Sequence, residues 1–200
     1  MAFDNSSLKD YVEVKDRILE FYEKYPQAIP DLKAYVVYVL ARAQAAELAL
    51  AFAQLGRPTL LIDADLRKPR QHTLFGIETP GPGLIQAIMH SDSPGLHSVE
   101  GFPPLAVLTA GDRTAENPNE LLSSGQFQRL VATLRFRFSC IIVDTPRFGA
   151  YSDAQIVAAV LGNVLCVHRA GASTFRDTQD MLHDLTSSRA TILGSVLNHF

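Results

Sequence analysis

Two short runs constrain this chain more than anything else in it: LLIDADLR from Leu60 to Arg67 and, about eighty residues later, CIIVDTP from Cys140 to Pro146. Each is a stretch of β-favouring apolar residues that stops abruptly on an acid. Such a stretch reads as a strand buried on both faces, and parallel α/β sheets bind their ligands at the carboxyl ends of the strands. The pattern therefore predicts that Asp63, Asp65 and Asp144 converge on one crevice. Hard carboxylate oxygens at such a place suit Mg²⁺ arriving with a nucleotide phosphate. Arg67 and Lys68 follow Asp65 closely enough to neutralise phosphate oxygens. Any one of these residues alone is better read as a turn-capping aspartate or part of a solvated charge run with Arg70. Two acid-ended strands in one chain, the second followed by Thr145 and Pro146, shift the weight to a ligand site. No G-x-x-x-x-G-K-[ST] loop lies upstream, so the usual phosphate cradle is missing.

The rest of the pattern alternates short apolar runs with helical spacing. Strands are expected at 59–63, 106–109, 140–144, 164–167 and 192–197, and helices at 41–55, 84–90, 120–136, 152–161 and 174–187, with Gly56 as a C-cap. Alternation of this kind predicts an α/β fold with a mostly parallel sheet and helices on both faces. The stretch 71–104, rich in Gly, Pro, Ser and His, reads as a loop-dominated connection over the top of the sheet. Gly81, Pro82 and Gly83 read as a turn before a short helix rather than a phosphate loop.

Residues 35–40 admit two readings: a β-branched central strand, or part of one long helix N-capped by Asp31 and running to Leu55. A strand ending at 40 would enter its helix with almost no loop. Ahead of this, 8–25 is amphipathic at helical spacing and is stopped by Pro26 and Pro30. The chain thus divides into an amino-terminal helical segment, 1–30, and a main domain, 31–200.

Two hundred residues with 47% hydrophobic content suffice for one globular core. A net charge of −3 and a pI near 6.0 give no broad basic field, so nucleic acid is not an expected partner. Cys140 and Cys166 sit inside apolar runs and read as buried thiols in a reducing cytoplasm. The longest apolar stretch, 34–41, is too short to span a bilayer, and 1–10 lacks a signal-peptide core, so a cytoplasmic location is expected. The six histidines show no metal-ligand spacing.

LLIDADLRKPRQHTLFG closely resembles the second nucleotide motif, Walker A′, of the bacterial tyrosine kinases of exopolysaccharide and capsule synthesis. IIVDTP with Ser152, Asp153 and Ala154 resembles their Walker B segment. The similarity continues through GPGLIQAI at 81–88, LTAGDRTAENPNELLSS at 108–124 and LGSVLNHF at the carboxyl end, closest to the chain-length-determinant-associated kinases of exopolysaccharide operons. The resemblance implies a deviant P-loop fold of the MinD- and ParA-like type that binds ATP and Mg²⁺ and phosphorylates tyrosines. It also implies work with a membrane co-polymerase that controls polysaccharide length and export, recruitment to the inner membrane by that partner, and self-association. Carried across by position, Asp63 and Asp65 match the acidic pair, one activating the tyrosine hydroxyl and the other organising the metal, and Arg67 matches the motif's arginine. Asp144 matches the metal-binding Walker B acid. Asn198 matches an asparagine that can read the adenine edge, although a strand-end turn residue is an equal reading.

The chain departs from the family where phosphate is held. Ala41 and Arg42 stand where the phosphate-binding Lys and metal-binding Ser/Thr belong, and the Gly-rich loop is absent. Losing three charge-assisted contacts at roughly 1.5 kcal/mol each would weaken nucleotide binding on the order of a thousandfold. Arg42 supplies charge there but no nest of backbone N–H groups. The family's amino-terminal E-x-x-R-x-x-R pattern is missing, and the tyrosines, at 11, 22, 25, 35, 38 and 151, form no terminal cluster. The expectation is a tyrosine-kinase-like domain of weakened activity, with a non-catalytic pseudokinase scaffold for the co-polymerase as the alternative.

Overall fold

The computed structural model describes residues 35–38, 43–78, 81–90, 94–112, 115–169 and 175–198. The segment 1–30 and Arg42 lie outside them. Seven strands form one sheet: β1 (Tyr35–Tyr38), β2 (Thr59–Asp63), β3 (Leu96–Val99), β4 (Phe102–Leu108), β5 (Cys140–Asp144), β6 (Asn163–Arg169) and β7 (Thr191–Asn198). Their order is β3-β4-β2-β5-β1-β6-β7, and every neighbouring pair is parallel except the edge pair β3–β4.

Alternate residues of β2 and β5 enter two different cores, which explains the continuous apolar runs. Leu60, Ile62, Ile141 and Val143 pack against α3 (Leu84–His90), α5 (Gly125–Leu134), α6 (Asp153–Leu161) and α7 (Phe175–Ser187). Leu61, Cys140 and Ile142 face the other way, onto α1 (Ala43–Gln54). All of these strand residues are essentially inaccessible to water, each burial contributing about 1.5–3 kcal/mol for the larger side chains. The fold class read from the sequence is therefore the one observed.

The open choice at 35–40 resolves as a strand. β1 lies between β5 and β6, with Val37 opposite both Asp144 and Leu165, a position that β-branched residues fill well. Four residues, 39–42, separate it from α1, within the usual range for such a junction. At the far end of α1, Gly56 adopts φ +73° and closes a Schellman motif, with Gly56 N–H donating to Ala53 O (2.9 Å) and Arg57 N–H to Phe52 O (3.3 Å).

Two expectations need correction. The helix expected at 120–136 is two helices, α4 (Pro118–Ser123) and α5, because Ser124 is extended (ψ 150°) and its hydroxyl accepts from Phe127 N–H at 3.2 Å as the N-cap of α5. The connection 71–104 holds the short helix expected at 84–90, α3, and more structure besides: α2 (Gln71–Leu74) and the hairpin β3–β4. β4 begins at Phe102 rather than 106. Pro103 and Pro104 mask it in the sequence, yet they fall where the β3–β4 register shifts, a place that does not need their missing N–H groups. No helix among the described residues is long and apolar enough to cross a membrane.

Candidate functional site

Asp63 and Asp144 end adjacent parallel strands and stand opposite each other in register. Sequence reasoning brought these two together correctly, but the sheet gives them different tasks. Asp63 is fully buried; its Oδ1 accepts from Asp65 N–H (3.2 Å), and its Oδ2 accepts from the backbone N–H groups of Arg70 and Gln71, both at 2.9 Å. One carboxylate thus folds the whole 65–71 loop back over the end of β2. Burial pushes its pKa up to about 6, against the opposing pull of those N–H donors.

Asp144 is 1% exposed, and its Oδ2 accepts a 2.7 Å hydrogen bond from Gln71 Nε2. Gln71 is itself fully buried, and it bridges the two acids, backbone to Asp63 and side chain to Asp144. The sequence reading missed it by taking position 71 as the start of a loop. The available signal was a lone glutamine inside an otherwise recognisable motif. Asp65, 4% exposed, accepts from Lys68 N–H at 3.0 Å.

Arg67 is turned away from the phosphate role expected of it. Its Nε donates to Asp153 Oδ2 (2.8 Å) and an Nη donates to Asp153 Oδ1 (3.2 Å) and to Asn119 Oδ1 (3.4 Å). Its guanidinium also lies 3.8 Å from the centre of the Tyr151 ring. The Asp153 hydrogen bond raises the Arg67 pKa further, so the charge is permanent. Lys68 and Arg70 remain exposed.

Asn198 closes β7 opposite Arg169 and sits three strands from Asp144, about 14 Å at ordinary strand spacing. No group of three or more His, Cys, Asp or Glu among the described residues is arranged to hold a metal ion. Mg²⁺ does not require one, since it is commonly held by one or two carboxylates together with phosphate oxygens and water. Two observations at this edge fit such a guest. Gln44, in the first turn of α1, and Thr145, next to Asp144, are both buried, and Gln44 Oε1 and Thr145 Oγ1 have no hydrogen-bond partner among the described residues. Leaving a buried polar atom unsatisfied costs about 1–3 kcal/mol, so such atoms point to a missing ligand or water.

A mostly parallel sheet with helices on both faces and acids at the ends of adjacent inner strands defines a doubly wound α/β domain. Its fold is that of the MinD-like P-loop NTPases: MinD of Pyrococcus furiosus superposes with a TM-score of 0.67 over 84% of this chain and 73% of its own, at 22% identity. No family model matches the chain. CapB of Staphylococcus aureus, named as a tyrosine-protein kinase, is 36% identical over 157 residues, 76% of this chain and 67% of CapB. The kinase domain of VpsO matches over 100% of both chains with a TM-score of 0.85 and 29% identity. The chain belongs to the bacterial tyrosine-kinase family. Other relatives are far longer: the succinoglycan biosynthesis transport protein ExoP of Rhizobium meliloti is 33% identical over 159 residues, and the chain spans only 20% of its length.

Proposed function

We propose that this domain binds ATP with Mg²⁺ at the carboxyl edge of β2 and β5 and transfers the γ-phosphoryl group to tyrosine at a reduced rate. The observation that carries this reading is the register pairing of Asp63 with Asp144, with the unsatisfied Thr145 hydroxyl beside them. Asp144 would hold the metal together with phosphate oxygens and water, and the metal would supply charge neutralisation for those oxygens. Asp65 is the better candidate to accept the proton of the tyrosine hydroxyl, because Asp63 is engaged with three backbone N–H groups. Transfer then leaves ADP, a phosphotyrosine and a proton on the base. Arg67 acts by fixing the loop that carries Asp65. Arg42 and Asn198 are kept as candidate phosphate and adenine contacts.

The short β1–α1 connection supports reduced activity: four residues stand where the usual motif needs eight. The same observation favours a second reading, a pseudokinase that keeps the fold as a scaffold. In either role the setting we propose is exopolysaccharide or capsule synthesis, on the cytoplasmic side of the inner membrane, where a membrane-embedded chain-length determinant recruits the domain and self-association controls it. The relatedness to ExoP supports that setting. Incubation with ATP and Mg²⁺ followed by phosphotyrosine detection tests the kinase reading. Slow incorporation that Asp65→Asn abolishes is expected; none, with wild type and variant alike, would leave the scaffold.

A further inference from the structure

The opposite edge of the sheet, where the strands begin, has a character that the nucleotide site does not explain. Arg57 precedes β2, Arg137 precedes β5 and Arg189 precedes β7, and all three are exposed. Next to Arg137 in the chain Phe136 is 92% exposed, and Leu55, at the end of α1, is 46% exposed. Hydrogen bonds join these loops into one surface: Ser139 N–H donates to Pro58 O (2.8 Å), Arg135 Nη to Leu161 O (3.1 Å) and Thr191 N–H to Gly162 O (2.7 Å). From β2 to β7 the surface spans four strand spacings, about 19 Å. The loops that form it hold one acid among the described residues, Glu100, in the turn between β3 and β4. In a chain of net charge −3, three exposed arginines against one acid among the described residues make this face a cationic departure from the composition.

We infer that this edge docks directly onto an anionic lipid surface. An almost fully exposed aromatic ring flanked by arginines suits the interface, where the ring enters the headgroup boundary and the guanidinium groups stay level with the phosphates. Each arginine near an anionic leaflet contributes about 1 kcal/mol, roughly fivefold in affinity. This orientation leaves the acid-ended strand tips facing away from the membrane, open to nucleotide and substrate. Direct lipid contact is independent of the kinase reading and goes beyond recruitment by a partner.

The test is flotation of the full 200-residue chain with phosphatidylcholine vesicles, with and without phosphatidylglycerol. Binding that requires phosphatidylglycerol and weakens steeply with salt is expected of the wild type. A triple variant, Arg57→Ser, Arg137→Ser and Arg189→Asn, should bind on the order of a hundredfold more weakly. Asn is used at 189 because Arg189 sits at φ +62°, which Asn tolerates. Phe136→Ser should weaken binding at unchanged salt dependence and unchanged melting temperature. Equal binding to both vesicle types, or wild-type binding by the triple variant, would overturn the inference. Retention on immobilised polyglutamate without vesicle binding would also overturn it and assign the face to an acidic protein.

Discussion

Arg67 and Asp153, 86 positions apart in sequence, form a two-pronged ion pair that staples the loop after β2 to the first turn of α6. Asp153 is completely buried, while the Arg67 side chain keeps 27% of its exposure. The pair is therefore asymmetric. Arg67→Ala leaves a buried carboxylate without its cation and should cost about 3 kcal/mol. Arg67→Lys keeps the charge but loses the fork and should cost roughly half as much. Urea denaturation of the three proteins checks the order, and equal stabilities would mean that the pair contributes nothing.

Asp63 gives a pH-dependent prediction. Its folded pKa, pushed up to about 6, lies above the ordinary 3.8, so its neutral form favours the folded state. The stability this provides is fully present below pH ~4 and is lost as pH rises through about 6, a change of up to about 3 kcal/mol. Asp63→Asn should be destabilised by about 1–3 kcal/mol at low pH, because an amide cannot accept on both sides from three N–H donors. The gap between wild type and variant should then narrow from pH 4 to pH 7. A gap that widens would show that the N–H donors outweigh burial.

Gln71 is the hinge between the two acid-ended strands. Gln71→Met keeps the volume but removes the 2.7 Å donor to Asp144, and should cost about 1–3 kcal/mol with α2 otherwise intact. Thermal melts with and without Mg²⁺ measure it; added Mg²⁺ should recover part of the loss. A melting temperature equal to wild type would remove Gln71 from the site.

Both cysteines should be silent in the folded state. Cys140 is 1% exposed and Cys166 fully buried; burial raises both thiol pKa values, that of Cys166 to about 11. A thiol reagent at neutral pH should label neither until denaturant is added. Rapid stoichiometric labelling of the native chain would contradict the two-sided burial of β5 and β6.

The strands that line the site were legible because burial on both faces leaves an unmistakable run of β-branched residues, and β2 and β5 begin and end where their runs do. The acids ending them were legible for the same reason. Gln71, Asn119 and Tyr151 were not, since each meets its partner through a contact across the fold that no local spacing encodes. β1 was only half legible: four β-branched and aromatic residues fit a strand and a helix face equally, and the pairing with β5 and β6 decides between them. The edge hairpin was hidden by Pro103 and Pro104, which signal a break except at a bulge.

Nucleotide binding is the property on which the proposed activity depends. Isothermal titration of the wild type and Asp144→Ala with ATP and ADP in Mg²⁺ measures it directly. Mg²⁺-dependent binding, weaker than an intact phosphate loop would give and lost in Asp144→Ala, is the expected result. No binding at millimolar nucleotide, or binding indifferent to Asp144, would contradict it.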